Sequence, residues 1–250
     1  MKKIYDKEFY ENRNQDTYVS AQKILNLIFE KSHPKSVIDF GCGVGTWLKV
    51  SKNLGATNVL GFEGSWLNKS HLEIDENEFQ YANLSEAVIL DEKYDLAISL
   101  EVAEHIDENF ADTFVSNLVN ASDVVLFSAA IPFQRGSGHV NEQWPEYWIE
   151  KFASHNYTVI DFVRPKIWNE NGIKTWYKQN VLLYINKEKI SLLEAFNFSI
   201  SNQSDMYSIV HPSTFIRQVE LSQPKYMPLF KTLKALPYLF FNRIFKKILK

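Results

Sequence analysis

Asp39-Phe-Gly-Cys-Gly-Val-Gly45 sets three glycines at alternate positions, directly after the apolar run Ser36-Val-Ile-Asp-Phe40 and just before a helical stretch from Trp47 to Leu54. A strand that ends in glycines and turns into a helix lets backbone approach a ligand closely, and the helix presents its free N–H groups there. A nucleotide-like ligand suits such a turn, although a tight turn without a ligand uses the same residues. The spacing narrows the choice. A dinucleotide fingerprint, G-x-G-x-x-G, wants glycine at Thr46, and here the third glycine comes one residue early. Glu63 follows Gly41 by 22 residues. At the end of a second strand, its carboxylate is placed to accept hydrogen bonds from both hydroxyls of a ribose.

The rest of the chain repeats the alternation. Ala21, Ile24, Leu25 and Ile28 recur at three and four residues, which predicts an amphipathic helix stopped by Pro34. Strands are expected at Ser36–Phe40, Asn58–Glu63, a weaker Glu78–Asn83, Tyr94–Leu100, Asp123–Ser128, Tyr157–Phe162 and Asn180–Ile185. Val102, Ile106, Phe110, Phe114 and Leu118 fall every four residues and predict one continuous helix; Pro145 to His155 predicts another, with proline in its first turn. Strands alternating with helices imply an α/β fold with a mostly parallel, seven-stranded sheet. Ser199–Asp205 reads as a polar linker, and beyond it lie helical pieces broken by Pro224, Pro228 and Pro237.

Composition bounds the partners. A net charge of -3 and a pI near 6.1 argue against a protein that coats nucleic acid. Residues 221–250 nevertheless hold seven Lys or Arg and no acid, leaving 20 basic against 30 acidic residues in 1–220. Interleaved with Leu229, Phe230, Leu233, Leu236, Phe240 and Phe241, these cations suit peripheral contact with an anionic membrane or an acidic partner, and equally packing on a second subunit. The single cysteine, Cys42, excludes an intramolecular disulfide. Met1 to Tyr10 lacks the apolar core of a signal peptide, and no apolar run reaches the ~20 residues of a membrane span. The expected place is the cytoplasm, peripheral to the inner face of the membrane if the tail binds there.

Four segments in order, Val37-Ile-Asp-Phe-Gly-Cys-Gly-Val-Gly45, Gly61-Phe-Glu63, Ala82-Asn83-Leu84 and Ser99-Leu-Glu-Val-Ala-Glu-His105, resemble the class I S-adenosylmethionine (SAM)-dependent methyltransferases over residues 20–187. The resemblance implies a Rossmann-like class I methyltransferase fold, with helices on both faces of the sheet and a seventh, antiparallel strand inserted near its edge. It also implies SAM as cofactor and S-adenosylhomocysteine as product. By that resemblance Asp39, Gly41, Cys42 and Gly43 hold the methionine end, and Glu63 with Gly64 the ribose. Asn83, where the family more often has Asp, and Leu84 hold the adenine; Leu100 and Glu101 line the sulfonium side. The domain expected is 1–188, with an N-terminal helical segment, followed by a partly helical, basic extension over 189–250.

Three further segments are similar to a methyltransferase subgroup associated with bacterial surface-polysaccharide (capsule or O-antigen) biosynthesis. They are Tyr5-Asp-Lys-Glu-Phe9, the long loop from Ser128 to Pro145 and Trp176-Tyr-Lys-Gln-Asn180. The resemblance implies a glycan or small-molecule acceptor. The loop leaves the carboxyl end of the fifth strand, the side on which open α/β sheets bind ligands. His139 is the candidate general base for a sugar hydroxyl, Glu142 its orienting group or replacement, and His105 a further catalytic candidate, although each could serve only local structure. Trp144, Tyr147, Trp148, Trp168, Trp176 and Tyr177 are candidates to stack on sugar rings, with core packing as the alternative, and Arg135, Arg164 and Lys166 to hold a phosphate. His139, Glu142, Glu104 and His105 have metal-ligand chemistry but no metal-motif spacing, so no metal is expected. Two rivals remain at this point: a NAD(P)-dependent oxidoreductase, disfavoured by Thr46, and a non-catalytic subunit of a glycan-assembly complex.

Overall fold

The computed structural model describes residues 7–198 and 206–222. The linker at 199–205 and nearly all of the basic tail therefore lie outside the described residues, as do Tyr5 and Asp6. The chain divides into two compact units, 1–211 and 212–250. In the second, a helix (α8, Pro212–Ser222) is described.

In the first unit, the glycine turn sits at the centre of a seven-stranded sheet. The strands are β1 (Ser36–Phe40), β2 (Asn58–Glu63), β3 (Phe79–Tyr81), β4 (Leu96–Leu100), β5 (Val124–Ser128), β6 (Tyr157–Ile160) and β7 (Leu182–Asn186), in the order β3-β2-β1-β4-β5-β7-β6. Pairing is parallel from β3 through β5. Only β7 runs against its neighbours, inserted between β5 and β6. This is the Rossmann-like topology expected, with the antiparallel strand where the resemblance put it.

Alternation along each strand feeds two apolar layers, as the period-two geometry of strands requires. Val37, Val59, Leu96, Ile98, Val124, Leu126, Leu183 and Ile185 face α1 (Lys7–Ser32) and α2 (Thr46–Asn53), joined there by Ile167 of α5 (Arg164–Ile167) and Tyr177 of α6 (Thr175–Asn180). Phe196 follows the short α7 (Ile190–Ala195) into the same layer. Ile38, Phe40, Ala97, Val125, Phe127, Leu182 and Tyr184 face α3 (Ala111–Ala121) and α4 (Pro145–Ser154). Helices thus cover both faces. Ala21, Ile24, Leu25 and Ile28 of α1 are fully buried, and Phe152 of α4 stacks on Tyr184 at 3.9 Å between ring centroids. Each such Ile, Leu or Phe side chain contributes about 1.5–3 kcal/mol on burial. An exposed ion pair such as Lys23–Glu170 adds only about 0–1 kcal/mol, so the two layers dominate the fold's stability.

The expected helix from Val102 to Leu118 does not form as one element. Two single 3₁₀ turns, Ala103–His105 and Glu108–Phe110, precede α3, and Phe110 is 44% exposed. Only Phe114 and Leu118 of that stripe are fully buried residues of α3. The segment is diverted because loop residues Val140 and Asn141 both donate backbone N–H bonds to the Glu104 carbonyl, which holds the chain in a turn.

Candidate active site

At the carboxyl end of β1 the chain enters a left-handed path, with φ of 88°, 55° and 88° at Gly41, Gly43 and Gly45. The amides of Gly41 and Cys42 donate to the Phe62 carbonyl, which ties the turn to the end of β2. A side chain at Gly41 would lie 2.4 Å from Val102, whereas one at Gly43 would meet nothing within 4 Å. Gly43 therefore borders open space, as a ligand-facing glycine must. Cys42 turns its thiol inward toward Gly61, so it offers the site only backbone.

Glu63 spans this turn. One carboxylate oxygen accepts from the Gly43 amide and the other from the Gly64 amide, both at 2.9 Å, and each keeps a lone pair for a further donor. Trp66, 82% exposed, lies over Gly64, where a Cβ would be 2.1 Å from the indole. Asp39 is buried; desolvation first, and the Glu63 charge second, push its carboxyl well above the usual range. Leu84 and Leu100 are buried, while the exposed Asn83 bonds within its own turn, to Glu86 at 2.7 Å and to the Ser85 amide.

Glu101 follows β4 with φ of 58°, a strained backbone for a non-glycine residue. Its amide donates to the Ser128 carbonyl. Its carboxylate accepts from Gln134 at 2.8 Å and Asn180 at 3.0 Å. Burial raises this acid, and the bonds from Asn180, Ser128 and Gln134 draw it back. Gln134 and Asn180 stand 33 and 79 residues away in sequence, and no local pattern marks them as its partners.

Three residues further on, the turn carries Glu104 and His105 to the long loop. Glu104 is 1% exposed, and its Oε2 has no hydrogen-bond partner. Burial and then the Glu101 charge push this carboxyl up. His139 bonds to Glu142 through Nδ1 at 2.8 Å, lies 3.9 Å from Glu104 through Nε2, and meets His105 edge to face with centroids 4.9 Å apart. Glu142 also accepts the amides of Phe133 and Arg135, both at positive φ. It is therefore the anchor of the loop as well as the orienting group of His139. The three catalytic candidates are thus brought together. Since Val102 packs against Gly41, this cluster adjoins the glycine turn.

The remaining candidates divide. Arg164 is not available to a phosphate: it is 1% exposed, pairs with both oxygens of Asp161, and donates to the carbonyls of Gln179 and Tyr207. Lys166 turns to the Phe162 carbonyl and ring. Trp148 and Tyr177 are core residues, whereas Trp144 is exposed at the end of the loop.

A family model described as a methyltransferase domain matches residues 11–172. Among solved structures, SAM-bound CalS10 is similar in fold, with a TM-score of 0.53 and 12% identity over 74% of this chain and 99% of that one. CalS10 is an amino pentose methyltransferase from Micromonospora echinaspora involved in calicheamicin biosynthesis. DesVI from Streptomyces venezuelae gives a TM-score of 0.51 at 13% identity, over 71% of this chain and 94% of that one. No curated protein sequence matches.

Proposed function

The chain belongs to the methyltransferase-domain family and takes its methyl group from SAM; on that premise we propose that it O-methylates a sugar hydroxyl of a bacterial surface glycan, nucleotide-linked or polymer-bound. Family membership removes the nicotinamide rival. The sugar acceptor is supported by the resemblance of the Ser128–Pro145 loop and Trp176–Asn180 to surface-polysaccharide methyltransferases.

The observation that carries the hydroxyl chemistry is the held imidazole of His139. The Glu142 carboxylate faces Nδ1 at 2.8 Å, and in the tautomer that donates this proton to it Nε2 carries the lone pair. In the reaction the acceptor oxygen bonds to the methyl carbon, the carbon–sulfur bond breaks with its electrons going to sulfur, and the hydroxyl proton leaves to Nε2. Glu142 then balances the imidazolium from the other side. Asp39, the glycine turn and Glu63 hold the donor, and alignment of oxygen, carbon and sulfur supplies most of the acceleration.

A screen of nucleotide sugars with SAM, reading S-adenosylhomocysteine release, tests the acceptor class. With the sugar that responds, His139→Ala is expected to lower turnover about 10²–10⁴-fold while SAM affinity holds. Methyl transfer only to amines or carboxylates would refute the proposal, as would near-normal turnover in the variant.

A further inference from the structure

We infer that Glu104, His105 and His139 together bind a divalent transition-metal cation, which presents the acceptor oxygen to the methyl group. The inference rests on the O-methylation reading above and concerns how that hydroxyl is activated.

Each of the three residues offers one ligand atom, and these atoms lie within 4.8 Å of one another. Ligands on one cation, each at about 2.0–2.2 Å, stand some 3–4 Å apart, so closing the site asks for side-chain shifts of about an ångström. Glu104 Oε2 gives the second, independent sign. It is a carboxylate oxygen taken out of water with nothing to accept from, which native proteins rarely tolerate. The nearby His139 Nε2 does not satisfy Glu104 by hydrogen bonding, because 3.9 Å is too long.

The supports behind the ligands match those of a metal centre. His139 gives Nδ1 to Glu142, and His105 gives Nδ1 to the Gly138 carbonyl at 3.2 Å. His139 is thereby set with its lone pair on Nε2, the arrangement by which outer groups orient metal-bound histidines, and the Gly138 carbonyl holds the His105 ring. Glu142 is fixed in turn by the Phe133 and Arg135 amides. The two bonds from Val140 and Asn141 to the Glu104 carbonyl clamp the histidine loop onto the turn that carries the other two ligands. At Gly136 a Cβ would fall 1.9 Å from His139 Nε2, so the backbone there packs against the imidazole and only glycine leaves the ring its place.

Two imidazoles and one carboxylate suit cobalt, zinc or manganese better than magnesium or calcium, and leave coordination positions for the acceptor. A hydroxyl on the cation loses its proton to water more readily, and the resulting oxygen attacks the methyl carbon while the sulfur leaves with the bonding pair. In the loaded enzyme His139 then acts as a ligand, and its contribution to hydroxyl activation passes through the cation.

Isothermal titration of the chelator-treated full chain with Co²⁺, Zn²⁺ and Mn²⁺ tests the site without any acceptor. One equivalent of at least one cation is expected to bind, at least tenfold more weakly in Glu104→Gln and in His105→Ala, with SAM affinity and melting temperature of Glu104→Gln confirming its fold. The visible absorption of bound Co²⁺ should change in the same variants. Absence of binding at millimolar cation, or equal binding in wild type and both variants, would overturn the inference. The acceptor screen, run with each cation and with chelator, separates the two readings. Sugar methylation undiminished by chelator removes the cation and leaves the acceptor reading. Cation binding with no sugar methylated does the reverse.

Discussion

Asp39 is a carboxylate held where water does not reach, and that placement has opposite effects on fold and function. Burial, then Glu63, raises its folded pKa above the unfolded value near 3.9. The stability it contributes is therefore full below that unfolded value and lost as pH rises through the folded one. Asp39→Asn removes this liability. Without ligand, the variant is expected to gain melting temperature over wild type as pH is raised, while binding SAM more weakly if, as proposed, Asp39 holds the methionine end. Thermal melts across pH, with and without SAM, check both; a variant less stable than wild type at high pH would contradict the argument. Glu63→Ala makes the complementary test. Two backbone amides lose their acceptor, and if Glu63 also holds the ribose, as proposed, SAM is expected to weaken by about 1.5–3 kcal/mol in a titration.

Between elements, Asp123 shows how charge joins the sheet at its far end. Just before β5, it accepts from Lys93 at 2.8 Å and Asn186 at 3.0 Å, with Lys189 at 3.1 Å. Burial alone would raise this acid, but those bonds outweigh it and hold the carboxyl below its ordinary value. Such a group stabilises above its unfolded pKa and loses that contribution as pH falls through the folded one. Asp123→Asn is accordingly expected to cost about 0.5–1 kcal/mol at pH 7, both lysines being half exposed, and nothing in strong acid. Urea unfolding at the two pH values measures the difference. An equal gap at both would exclude the ion-pair explanation.

The elements also show which parts of the architecture sequence pattern carries. All seven strands were legible, because apolar alternation and flanking turns are local signals. The Val102–Leu118 stripe misled because periodicity does not register the two amides that Val140 and Asn141 send to Glu104. In the candidate site, the pairing of His139 with Glu142 spans three residues and was readable. Asn180 against Glu101 spans 79 residues and needs β7 placed beside β5 before the contact exists.

For the whole molecule, charge is distributed asymmetrically along the chain. The 30 acids are confined to residues 1–220, while residues 221–250 carry seven cations. Among the described residues no helix is long and apolar enough to cross a membrane. We propose that the tail holds the enzyme peripherally at an anionic inner membrane face, where each Lys or Arg brought near the surface contributes about 1 kcal/mol. Flotation with anionic liposomes should recover the full chain at low salt and lose it at high salt, whereas a chain ending at residue 220 should stay behind. Equal recovery of both forms would dismiss the tail.

The inserted strand β7 bears on how this molecule is made. Among the described residues β6 occupies the edge of the sheet and pairs only with β7, which comes later in the chain. As the ribosome releases the polypeptide from its N-terminus, β1 to β5 can pair in succession, but Tyr157–Ile160 must wait for Leu182–Asn186 to emerge. During that interval β5 also shows a bare edge to the cell. Residues 161–181, which include Arg164 and Asn180, thus set how long a nascent chain is exposed to aggregation, and a translational pause within them would lengthen that exposure.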